Sequence, residues 1–187
     1  MKKLSNKKEV LTFVRERFPV PDKLEESEPA SIILPDCFFE AGCEDASLSD
    51  KARFYYGASR FSDLFLELVK AFHEPYILAG DFRQTGSIYE TWSDLKNHYA
   101  FIKLKTYFQD RAFYKLTFPE DDFIADLLVE NGFCYFTNLD LFFPRNKIML
   151  RFDCHMQILI WPYDHHSFQH SIQTFMKEHP EFELVDC

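Results

Sequence analysis

The feature that most constrains this chain is a change of hydrophobic period along it. Between Phe54 and Phe72 the apolar residues fall three and four apart, with Phe61, Leu64, Phe65, Leu68, Val69 and Phe72 along one side of a helix. Phe54, Tyr55 and Ala58 are expected to extend that stripe upstream. From Ala112 the period becomes two, and Phe113, Lys115 and Thr117 alternate with Tyr114, Leu116 and Phe118 as in a half-buried strand. Three apolar segments then follow closely, over 134–143, 147–152 and 156–162, separated only by Pro144-Arg145-Asn146 and Asp153-Cys154-His155. Connections this short join antiparallel neighbours, because a parallel return needs a dozen or more residues. The sequence therefore predicts a C-terminal three-strand meander.

The remaining elements are read around that frame. Ser5 caps a first helix carrying Val10, Leu11, Val14 and Phe18, which Pro19 and Pro21 end. Ser31 to Leu34 is a short strand, and beyond Pro35 the run Cys37-Phe38-Phe39-Glu40 is expected to continue it as an edge-like strand. Asp50 is the expected N-cap of the long helix, which spans 50–72, and Pro75 stops it. Tyr76 to Phe82 reads as a strand, and Thr91 or Ser93 caps a helix with Leu95, Tyr99 and Ile102. Pro119 opens a helix with Phe123, Ile124, Leu127 and Leu128 that Gly132 ends. A last helix starts near Ser167, presents Phe168, Ile172, Phe175 and Met176, and ends before Pro180. This order predicts an α+β fold: a single mixed, largely antiparallel sheet with helices mostly on one face, in one domain over 1–187.

Composition narrows the function classes. The 187 residues carry a formal net charge of -9, which argues against nucleic-acid or anionic-membrane binding. No apolar run reaches the roughly 20 residues of a membrane span. The Lys-rich start lacks the apolar core of a signal peptide. Five cysteines without a CxxC pair are expected to be reduced thiols in a cytoplasmic protein. Most of the 22 Phe fall on the helical and strand stripes, so they speak for a core.

Two polar constellations are candidates for chemistry. If the last helix starts near residue 166, His166 and His170 are i and i+4 on one face, a spacing that can chelate a transition metal with Asp164 or Cys154 as a further ligand. The plainer reading is a solvated helix start capped by Asp164 or Ser167. Asp81 and Arg83 at a strand end set a carboxylate beside a guanidinium, and Glu40 could converge on them to bind a ligand. The plainer reading there is an exposed ion pair worth about 0–1 kcal/mol. There is no G-x-S-x-G, P-loop or G-x-G-x-x-G, so no catalytic set and no cofactor are assigned. Lys96, Lys103, Lys105, Arg111 and Lys115 gather near aromatics, but the acidic total favours an exposed face over a nucleic-acid patch.

Three stretches together resemble the bacterial family known as domain of unknown function 3885. They are Ile33 to Gly42, with its aromatic-Glu-x-Gly strand; the helix bearing Tyr56, Ala58, Arg60 and Phe65, with the strand from Ile77 to Phe82; and Ile160-Trp161-Pro162-Tyr163-Asp164. Where that family continues its Tyr-Asp turn with Arg-Gly, this chain has His165-His166. Small acidic bacterial proteins of this kind look like immunity partners of secreted toxins, an analogy that implies binding in place of catalysis. The leading expectation is thus a non-enzymatic interaction protein for a basic partner such as a toxin. The alternative is a metal-assisted hydrolase using Asp81, Glu40 and the His165, His166 and His170 group.

Overall fold

The computed structural model describes residues 2–3, 29–37, 46–81, 111–116, 125, 139–153, 155–162 and 165–185. Its strands are β1 (Lys2–Lys3), β2 (Ala30–Ile33), β3 (Tyr76–Asp81), β4 (Arg111–Leu116), β5 (Leu139–Phe143), β6 (Ile148–Asp153), β7 (Gln157–Pro162) and β8 (Glu183–Val185). Its helices are α1 (Leu48–Phe72) and α2 (His165–Lys177). The strands form one sheet in the order β1-β4-β3-β5-β6-β7-β2-β8. Every pairing among the described residues is antiparallel, so the fold is α+β with the expected meander β5-β6-β7 at its centre. Both hairpin turns of the meander contain a residue in the left-handed region, Lys147 at φ 55° and Met156 at φ 58°. That sign lets a short loop follow the right-handed twist of its strands.

Among the described residues, two connections cross over through a helix. Strands β2 and β3 run the same way with β7, β6 and β5 between them, and α1 connects them. Strands β7 and β8 likewise flank β2 in the same direction, with α2 between them in the chain. Register separates the faces because successive residues alternate sides. One face carries Leu78, Leu141, Leu150 and Ile160 in one row and Phe152, Ile158 and Ile32 in the next. All are buried in one cluster with Phe61, Phe65 and Leu68 of α1 and Ile172, Phe175 and Met176 of α2. Both helices therefore cover the same face. Edge-on ring contacts such as Phe65 on Phe152, 5.7 Å between centroids, add a geometric preference to the area buried. On the other face Asp140 pairs with Arg151 in two contacts of 2.6 and 3.2 Å, and the Arg151 guanidinium lies 5.3 Å from the Trp161 ring centre.

Several local expectations need correction. The cap of α1 is Ser47: its Oγ accepts from the Asp50 N–H at 3.2 Å and donates to Asp50 Oδ2 at 2.6 Å. Asp50 thus acts from the first turn, where a carboxylate also suits the helix dipole. Cys37 does not extend β2; Asp36 turns at φ 64° and the Cys37 N–H donates back to the Leu34 carbonyl. Nor is β2 an edge strand, since β8 pairs with its outer side. Of the helix expected after Pro119, Ala125 is described, and it is helical and buried. The expected first helix, the helix from Thr91 or Ser93, and residues 38–40 lie outside the described residues.

Candidate functional site

The outer side of α1 carries the most unusual surface among the described residues. A 25-residue helix packing one stripe leaves the opposite stripe to solvent, and most of that stripe is polar. Its first half is not. Leu48 is 87% exposed, Tyr55 67% and Tyr56 62%, with exposed Ala52 between them. Tyr55 therefore leaves the apolar stripe in which the sequence places it. At about 100° per residue it lies well round the helix from Phe61 and Leu68, and it makes an edge-on contact with Phe54, 5.6 Å between centroids.

Further along α1 the same side turns ionic. Arg60 binds Asp63 at 3.2 Å and also pairs with Glu181, which follows α2. A hydrogen bond from its own backbone, followed by the Arg60 guanidinium, holds the Glu181 carboxyl below the usual glutamate range. One turn beyond Asp63, Glu67 Oε2 lies 3.3 Å from His179 Nε2. Phe182 fills the space beneath, its ring 5.1 Å from that of Phe61. Ionic contacts above and an aromatic anchor below thus fix the segment leading into β8 on α1.

Two groups, one buried and one half-buried, serve the scaffold. Glu74 is 2% exposed and accepts from the Arg145 N–H at 2.8 Å, the Asn146 N–H at 2.9 Å and Asn146 Nδ2 at 2.7 Å. Asn146 Nδ2 also donates to the Phe72 carbonyl at 3.2 Å, so the β5-β6 turn is tied to the end of α1. Cys37 packs against Gly57 and its Sγ donates to the Arg53 carbonyl at 3.8 Å. Burial, with the neighbouring Asp36 charge, pushes its thiol up, away from the reactive thiolate.

The expected site residues are placed as follows. Asp81 is the last residue of β3, in register with Arg111 of β4. His166 and His170 both lie in α2, four positions apart in the chain. The backbone does not bring Asp81 to the start of α2. In the shared register Gly80, Leu139, Phe152 and Ile158 form a row near the Asp81 end, whereas β7 leaves for α2 from Pro162 at the opposite end. The two strands are also about 14 Å apart, three strand spacings. Glu40, Arg83 and Asp164 lie outside the described residues. Among the described residues no three His, Cys, Asp or Glu side chains are grouped to hold a metal ion, and no helix is long and apolar enough to cross a membrane. No family model matches the chain, and neither does a curated protein or a solved structure.

Proposed function

We propose that this chain is a non-enzymatic interaction module that holds a basic protein partner, as an immunity protein holds the toxin it neutralises. The observation that carries the reading is the exposure of Leu48, Tyr55 and Tyr56 together on the first half of α1. Tyrosine is enriched at interface cores because it offers large contact area with few rotors and a hydroxyl for a polar partner. The exposed Asp63, Glu67, Glu178, Glu181 and Glu183 share in the chain's net charge of -9. A field of that sign steers a basic partner, raising the association rate by roughly 10- to 1000-fold at low salt. The resemblance to the family of unknown function 3885 supports the same class, and Tyr56 is among the residues that carry it.

The test is co-purification from the native host with the wild-type chain and with a Tyr55→Ala/Tyr56→Ala variant. One basic protein is expected to accompany the wild type, to be released by moderate salt, and to be missing from the variant. Recovery of no stable partner, or equal recovery by both chains, contradicts the proposal.

A further inference from the structure

We propose that His179 and Glu67 form a proton-operated latch that holds β8 on the edge of the sheet. β8 has three residues and among the described residues pairs with β2 alone. A strand that short contributes few ladder bonds of its own, so its approach has to fix it. The approach is a series of turns: the Glu178 N–H donates to the Phe175 carbonyl, that of His179 to Met176 and that of Phe182 to His179, at 3.0–3.1 Å. His179 stands in the middle of them, 9% exposed, its ring 4.5 Å from that of Phe175. Its Nε2 is buried and makes no hydrogen bond, and Glu67 Oε2 lies 3.3 Å from it across from α1.

That contact has two strengths. With a neutral ring it sets a dipole against a carboxylate in poor hydrogen-bond geometry; with a protonated ring it is an ion pair. Imidazole free in water passes between the two forms near pH 6.5, about the only side chain to do so near neutrality. The charges around the ring are mostly acidic. From α1 come Glu67, with Asp63 one turn and Arg60 two turns back. From the segment after α2 comes Glu181, within electrostatic reach of the ring, with Glu178 and Glu183 exposed on either side. α2 itself supplies the Phe175 ring and, at its last residue, the exposed Lys177. Arg60 is held by Asp63 and Glu181, so Glu67 is the carboxylate in direct contact with the ring. Burial opposes charging the ring, and the latch is the part of that balance which Glu67 supplies. Closed, it joins residues 112 apart in sequence (179 minus 67). Open, it leaves β8 to its short pairing, and departure of β8 uncovers the outer N–H and C=O row of β2.

The test is amide hydrogen exchange of β8 in the full chain, with β6 as internal reference, at about pH 5.5 and about pH 8, on either side of the imidazole transition. Wild type is compared with Glu67→Gln, a change of charge at an exposed position that leaves the core intact. At the acidic pH the β8 amides are expected to be about two- to fivefold better protected in the wild type, the range of a partly exposed ion pair. At the alkaline pH the ratio is expected to fall towards one. In a His179→Gln background, Glu67→Gln is expected to change nothing further at either pH. A ratio that is constant with pH, a ratio that grows as pH rises, or a Glu67→Gln effect that persists undiminished without His179 overturns the proposal.

Discussion

Replacing Gly57 by Ala in the middle of α1 ordinarily stabilises a protein, by about 1 kcal/mol on helix propensity. Here the sign is expected to reverse. A Cβ on Gly57 would stand 2.7 Å from Cys37 Sγ, 3.1 Å from Cys37 Cβ and 3.2 Å from Met156 Cε. The first distance is far inside van der Waals contact. Met156 cannot withdraw freely, since it is buried and held at φ 58° in the β6-β7 turn. Relief must come from Cys37, whose position is set by the turn at Asp36. Overpacking of this kind costs about 1–3 kcal/mol. Set against the propensity gain, the net loss is up to about 2 kcal/mol, or up to roughly 8 °C in Tm for a chain of this size. Urea denaturation and thermal melts of Gly57→Ala, Cys37→Ala and the double variant form the assay. Because Cys37→Ala removes the Sγ, the second substitution should be nearly neutral in that background, giving a coupling of about 1 kcal/mol or more. Peptide-resolved alkylation should also show Cys37 reacting faster in Gly57→Ala, as the thiol is pushed outward. A rise in Tm for Gly57→Ala, or strict additivity in the double variant, would refute the packing argument.

Two further perturbations test the scaffold and the clasp. Glu74→Ala strips the acceptor from three N–H donors at the β5-β6 turn, so a loss of about 2–4 kcal/mol is expected in urea denaturation; a change under 0.5 kcal/mol would contradict the tie. Glu181, whose carboxyl is held low in the folded state, contributes stability that is full above the ordinary glutamate value of about 4.3 and fades as pH falls through the lower folded value. The contribution is that of a surface pair, about 0–1 kcal/mol. Glu181→Gln is therefore expected to melt slightly below the wild type at pH 7, with the gap closing near pH 3; a gap that is constant with pH would count against the ionic clasp.

The sequence discloses those parts of the molecule whose pattern is local. The stripe Phe61, Leu64, Phe65, Leu68 and Val69 is buried as its spacing requires, and β5, β6 and β7 follow from short turns between apolar runs. The two shortest strands escape notice for a physical reason. Lys2–Lys3 and Glu183–Val185 are too short to show a period, and they become strands only because β4 and β2 offer open edges. Glu74 gives no sign of its role, because in sequence it is a polar residue before a proline and its partners lie 71 and 72 positions away. The same holds for Arg60 and Glu181, 121 residues apart. The candidate surface was legible only as composition. The net charge pointed to a basic partner, but Tyr55 reads as part of the apolar stripe until the helix phase places it outside.

The central claim is that α1 docks a basic partner through Leu48, Tyr55 and Tyr56, and affinity for the co-purified partner tests it most directly. Binding by wild type and Tyr55→Ala/Tyr56→Ala is compared at low and at physiological salt. Interface anchors of this type are worth about 2 kcal/mol or more, so the variant is predicted to bind at least about 30-fold more weakly, mainly through faster dissociation. Wild-type association is predicted to slow as salt rises, as a charge-steered encounter requires. A variant that binds within twofold of the wild type, or an association rate indifferent to salt, would contradict the account.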